Sequence, residues 1–306
     1  GTSATGAVDS VAPASAASAD LQYTCEWSVD DGDGGVDEGT GDAATASWDS
    51  GIADDLVVIG GLVPSLLIDQ EGDEAGFEPH AGTMDLDIGL TAALLDRGRY
   101  REISDRLRRA GFSQDENTAG NPTRQRWKIE AQEKVTVDFL MPPTSPEERG
   151  GSLRDLEPDF AAVVTPGLHL AFRDRVRVSL SGQTIAGEDA TREIWVCGAG
   201  AFVVLKALAF DLRGENKDAY DLFYVVRNYG AGVESVVERL KPLLDDEDAV
   251  KAAEILRRDF LSSNSVGPRR VAEFQTGGTN VAIQADVVGF VGDLLRRLGV
   301  SASPAT

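Results

Sequence analysis

Hydrophobic and polar positions fall into three zones along the chain. Positions 1–50 are small, polar and acidic, culminating in Asp30-Asp31-Gly32-Asp33-Gly34-Gly35-Val36-Asp37-Glu38. Such a composition has too little apolar surface to repay the entropy of ordering, which predicts a low-complexity tail. Its aromatic-bearing run, 21–27, is expected as a strand laid against the body. Asp31 and Asp33 have the spacing of a calcium loop. Gly35 stands at a ligand position and Val36 at the required turn glycine, so calcium is not expected there.

The second zone alternates with a period of two. Asp55-Leu56-Val57-Val58-Ile59 predicts a strand ending on Gly60-Gly61, followed by a helix-like run over 62–67. After a polar loop over 70–82, Met84-Asp85-Leu86-Asp87-Ile88 puts Met84, Leu86 and Ile88 on one face and both aspartates on the other. An amphipathic helix is predicted over 100–110, stopped by Gly111. Strands are predicted over 125–129 and 135–140, closed by Pro142-Pro143, with further short strands between 153 and 196 such as Val176-Arg177-Val178-Ser179-Leu180. The third zone, after Gly198, has helical periodicity over 199–212, 217–228, 233–244, 249–260 and 285–298. The expected fold class is α+β: a mixed sheet with flanking helices in 51–197, then a mainly helical domain in 198–306.

The 51 acidic and 29 basic residues give a net charge of −22, which disfavours a large duplex nucleic acid as partner. The basic strip Arg106-Leu107-Arg108-Arg109 is expected as the solvated face of a helix, with RNA contact as the alternative. Acidity with few lysines also fits a surface kept soluble by carboxylates. Cys25 and Cys197 lie far apart with no metal-ligand spacing, which argues against a disulfide scaffold or zinc site. The first twenty residues lack a basic start and a continuous apolar stretch, and no window has the length of a membrane span. A soluble, cytoplasmic protein without a membrane partner is expected.

The candidate chemistry starts from Asp85 and Asp87. Two carboxylates on one strand face repel by roughly 4 kcal/mol at about 4 Å and an effective dielectric of about 20, and a shared hard cation relieves that. Asp138, in Val135-Thr136-Val137-Asp138-Phe139, alternates the same way, and on a neighbouring strand it would complete a three-carboxylate site suited to two-metal phosphoryl chemistry. The Gly60-Gly61 turn before a helix offers free N–H groups to a phosphate. The sequence contains no Gly-x-Ser-x-Gly elbow, Cys–His pairing or Walker loop.

Gly60-Gly61, Asp85-Leu86-Asp87 and Asp138, in that order, resemble the DNA polymerase β-like nucleotidyltransferase superfamily, with a longer interval than usual between turn and aspartates. Lys206, Arg213 and Lys217-Asp218-Ala219-Tyr220-Asp221 look similar to the AbiEii group, which includes toxins of type IV toxin-antitoxin systems. That group's first lysine is replaced here by Glu215, with Lys217 as the shifted candidate. The resemblance covers about 55–228. It implies catalytic roles for Asp85, Asp87, Asp138, Lys206 and Asp218, with Mg2+ or Mn2+ on the first three. Gly60, Gly61, Lys206, Lys217 and Asp221 are the nucleotide-binding candidates.

The implied reaction transfers a nucleoside monophosphate from a triphosphate to a hydroxyl of a transfer RNA or a small molecule, with an antitoxin protein as a further partner. Alternatives are a nucleotide- or partner-binding module weakened in catalysis and a sugar-nucleotide transferase. Asp218 also reads as a first-turn carboxylate behind an Asn216 cap, or as a brace with Asp221. His80 is expected to be an exposed loop residue, and His169 a core or turn residue.

Overall fold

A computed structural model describes residues 53–69, 78–83, 85–91, 97–130, 134–183 and 189–300. The runs 21–27 and 30–38, Cys25, Met84 and positions 70–77 of the predicted loop lie outside these residues. The zones of the sequence become a mixed, open sheet with helices against it, followed by a run of helices.

Strand β1 (Leu56–Ile59) has only apolar side chains, and three of its four residues are buried. It pairs antiparallel with β2 (Asp85–Leu90) and meets β9 (Asp189–Cys197) in parallel at Val58↔Val196. On its other edge β2 runs parallel to β5 (Lys134–Met141), with Leu86↔Val137 and Ile88↔Phe139. The order is β3 (Ser113–Glu116), β4 (Pro122–Glu130), β5, β2, β1, β9, β8 (Arg175–Gln183). A hairpin of β6 (Leu153–Glu157) and β7 (Phe160–Val164) joins the end of β5.

Period-two alternation decides the two faces of this sheet. Leu86, Ile88, Val137, Phe139 and Trp127 are buried on one of them, where Phe139 and Phe160 meet edge to face at 4.8 Å. After the short α1 (Val63–Leu67), helix α2 (Arg97–Arg109) brings Ile103 and Leu107 to the core, while Tyr100 tilts against Phe160. Each such side chain contributes about 1.5–3 kcal/mol by leaving water. The strip 106–109 is thus only partly solvated: Leu107 is core, Arg106 pairs with Glu102, and Arg108 pairs with Asp105 and Asp159. The other face of β2 and β5 carries the aspartates.

After the short α3 (His169–Arg173) and Gly198, α4 (Ala199–Arg213) is apolar nearly all round and becomes the central helix, with Phe202, Val203, Val204, Ala207 and Phe210 buried. Its first turn has no side-chain cap of its own. Asp174 fills that role from outside, accepting from the Ala201 amide at 2.9 Å and pairing with Arg239. A Cβ at Gly198 would meet the Asp174 carboxylate at 2.2 Å, so glycine is what admits this outside cap. Helix α5 (Asn216–Asn228) follows an αL turn at Gly214. Its N-cap is Glu215 rather than the expected Asn216, whose Oδ1 accepts instead from Arg270.

Helices α6 (Val233–Leu240), α7 (Glu247–Phe260), α8 (Val266–Thr276) and α9 (Val281–Arg297) complete the bundle. The predicted helix over 233–244 stops at Leu240 and passes into a 3-10 turn at Pro242, which cannot donate to the helical ladder. Helix α8, absent from the sequence prediction, hides behind Gly267-Pro268. Proline is tolerated in a first turn, and Gly267 lies where a Cβ would strike the Phe260 ring at 2.5 Å. Strand β3, also unpredicted, is polar and lies at the sheet edge. Among the described residues no helix is long and apolar enough to cross a membrane.

Candidate functional site

Sheet register brings the three predicted carboxylates onto one face. Asp87 stands opposite Ile59 on β1 and beside Asp138 on β5, while Asp85 stands beside Thr136. Thr136 donates its hydroxyl hydrogen bond to Asp85. Asp138 accepts from the Arg126 guanidinium through both oxygens, with Nε to Oδ1 at 2.8 Å, from directly across the β4–β5 pair. Burial, then the charges of Asp138 and Asp85, push the Asp87 carboxyl up to about 7, against the opposing pull of Lys206 and Arg213.

The glycine turn lies directly on this group. Gly60 has φ +74°, and a Cβ there would stand 1.9 Å from Asp87 Oδ2. A Cβ at Gly61 would be 3.0 Å from Lys217 Nζ and from Thr83 Cγ2. Gly60 is therefore fixed by two independent requirements, a left-handed backbone and contact with a carboxylate. Gly60→Ala is expected to lower stability by about 2–3 kcal/mol in chemical denaturation, because strain and displacement of Asp87 coincide. Divalent-ion binding should weaken with it.

Lys206, Asp218, Asp221, Lys217, Arg213 and His80 form a second, buried network next to the turn. Lys206 Nζ lies 3.0 Å from Asp218 Oδ1 and 2.7 Å from Asp221 Oδ2. Arg213 chelates Asp218 at 2.6 and 2.8 Å, and Lys217 reaches both oxygens of Asp221 at 2.9 and 3.1 Å. Burial alone would raise both carboxyls. The Arg213 hydrogen bond and Lys206 outweigh it at Asp218, as do Lys206, His80 and Lys217 at Asp221, so both are held below the usual range. At Lys206 burial is overcome by the Asp221 and Asp218 charges and the ammonium is strengthened; at Lys217 burial prevails and its pKa falls.

His80 overturns its expectation as an exposed residue. It is buried, 2.9 Å from Asp221, stacked on Tyr220 at 5.3 Å and edge-on to Tyr224 at 4.9 Å. The Tyr220 hydroxyl accepts from the Ala81 amide, and Tyr224 donates to the Glu78 carbonyl. Residues 78–83 thereby tie α5 to the start of β2. His169 is half-buried and pairs with Asp246, the N-cap of α7.

The three carboxylates share one face as hard-oxygen donors, although their ligand atoms do not all lie within 4.8 Å of one another. Burial first, and then the Asp138 and Asp85 charges, raise the Asp87 pKa, and a divalent cation on Asp85 and Asp87 would relieve that repulsion. Asp138 fits by register, but both its oxygens accept from Arg126. Among the described residues, the one group of three His, Cys, Asp or Glu whose ligand atoms lie within 4.8 Å of one another is His169, Asp246 and Asp248. There the Asp246 carboxylate already caps a helix and pairs with His169 and Arg173. The residues missed from sequence are His80, Thr136 and above all Arg126. Its alternation with Trp127 and Ile129 assigns Arg126 to a polar strand face, but no local pattern names Asp138 as its partner. No family model and no curated protein matches the chain.

Proposed function

We propose that the chain is a metal-dependent nucleotidyltransferase that moves a nucleoside monophosphate from a nucleoside triphosphate to a hydroxyl acceptor, with pyrophosphate as the leaving group. One observation carries this: the Asp87 carboxylate lies against the Gly60 turn and, in sheet register, beside Asp138. A phosphate held by the turn would stand next to Asp87, with Asp85 and Asp138 on the same face of the sheet. Asp85, Asp87 and Asp138 are the residues that would hold Mg2+ or Mn2+, which when bound supplies charge neutralisation to phosphate oxygens and activates a hydroxyl. Asp87 has to lose its proton to take part. Backbone N–H groups at Gly60-Gly61 bind phosphate, with the Lys217 ammonium close to Gly61 as an added point charge. Lys206 acts from behind, fixing Asp218 and Asp221 and through them Lys217 and His80.

The direct test is incubation with labelled triphosphates, Mg2+ and two acceptor classes, transfer RNA and cationic small molecules. Label transferred to one class and lost on chelation supports the reading; triphosphate left intact with every acceptor opposes it. A non-catalytic nucleotide-binding module is the second reading, favoured by the Arg126 guanidinium on the third carboxylate. Metal-dependent triphosphate binding without turnover is its expected result.

A further inference from the structure

Strand β4 presents three cations on the face that carries the aspartates, Arg124, Arg126 and Lys128, alternating with the inward-facing Trp127 and Ile129. Each has a carboxylate partner. Arg124 pairs with Asp155 at 2.8 Å and Lys128 with Asp115 at 3.4 Å, both outside the candidate site. Arg126 alone of the three is paired with a member of the aspartate triad, and it uses both arms of its fork.

We infer that Arg126 is a latch on the third carboxylate, closing Asp138 to a divalent ion until an incoming polyphosphate draws the guanidinium away. The inference rests on the nucleotidyltransferase reading of the triad. A planar guanidinium matches a carboxylate and a phosphate in the same bidentate geometry, so a polyanionic substrate is a natural exchange partner for it. The Arg126 side chain is 38% exposed, whereas that of Asp138 is 15% exposed, so the cation is the member of the pair with access to solvent. Once released, Asp138 faces Asp87 across the β2–β5 register with no fixed positive charge on it. Ion and triphosphate then bind with positive coupling, because each favours the arrangement in which Arg126 has left Asp138.

The test measures Mn2+ binding to the full chain by electron paramagnetic resonance, without nucleotide, in the wild type, Arg126→Gln, Arg126→Lys and Asp87→Asn. Arg126→Gln should bind Mn2+ about tenfold more tightly than the wild type, and Arg126→Lys, which keeps a charge but loses the fork, severalfold more tightly. A non-hydrolysable triphosphate should tighten Mn2+ binding in the wild type more than in Arg126→Gln. Circular dichroism checks folding, and Arg126→Lys decides the matter if the glutamine variant does not fold. Equal or weaker Mn2+ binding in a folded Arg126 variant overturns the latch and makes Arg126 a positioning residue for Asp138. Wild-type affinity in Asp87→Asn overturns the metal site itself, and the latch with it. Loss of binding in Asp87→Asn without a gain in the Arg126 variants sinks the latch alone.

Discussion

Replacing Asp85 and Asp87 together by asparagine is expected to abolish the proposed nucleotidyl transfer while making the metal-free protein more stable. The loss should reach about a thousandfold or more, since a bound divalent ion contributes several kcal/mol to the transition state and each 1.36 kcal/mol is tenfold in rate. The gain has the opposite sign because the carboxylates repel: burial and the Asp138 and Asp85 charges raise the Asp87 carboxyl from 3.8 to about 7. Between those values the folded chain keeps a proton that the unfolded chain has released. The contribution of Asp87 to stability therefore falls as pH rises from about 4 to about 7, then levels off. Asparagine has no such dependence. The difference in Tm between variant and wild type should open across that window, reaching a few degrees at pH 8. Added Mg2+ should close it by stabilising only the wild type, more at pH 8 than at pH 6. A double variant that keeps its activity, or that melts below the wild type at pH 8 without metal, contradicts this account.

That pair of effects was half legible in the sequence. Alternation in Asp85-Leu86-Asp87-Ile88 and in Val137-Asp138-Phe139 assigned the three carboxylates to polar strand faces, and the strands follow that alternation. Alternation says nothing of which strands are neighbours. The contact that matters, Asp87 beside Asp138, depends on β2 and β5 pairing in parallel across a helix and two strands, a non-local choice made by the whole core. The burial of His80 escapes the sequence for the same reason. Nothing in Glu78-Pro79-His80-Ala81 signals burial, and only the return of the loop onto α5 provides Tyr220, Tyr224 and Asp221 as neighbours. Gly60 was visible as a turn, but its contact with Asp87 follows from the antiparallel register Ile59↔Asp87, which aligns the strand end with the carboxylate. Lys206 was conspicuous as a lone cation in an apolar helix, a placement that demands an anionic partner. Asp218 and Asp221, three residues apart on the next helix, supply it.

Lys206→Met is accordingly the variant with the largest expected cost in stability. Methionine fills much of the volume, so the cavity contribution is small and the lost charge dominates. Removing one partner from a buried ion pair typically costs about 3–5 kcal/mol because the remaining charge is left uncompensated. Here two carboxylates lose a partner, yet neither is left alone: Asp218 keeps Arg213, and Asp221 keeps Lys217 and His80. That places the cost near the lower end, about 3 kcal/mol, a large fraction of a typical domain's stability. The deficit should depend on pH. Both carboxyls are held below the usual range by their cations, so their stabilisation is present above about pH 4 and lost as pH falls through their depressed values. The variant and wild type should thus converge in acid. Adding Asp218→Asn to Lys206→Met removes a buried carboxylate whose remaining partner, Arg213, is itself more than half exposed, and should recover part of the loss, which denaturant titration of the single and double variants measures. If Lys206 instead served the triphosphate directly, Lys206→Met would leave stability nearly unchanged and raise the KM for nucleotide. A fall in stability that Asp218→Asn partly restores separates the two, because only a lysine that braces α4 against α5 links its loss to the charge on the neighbouring helix.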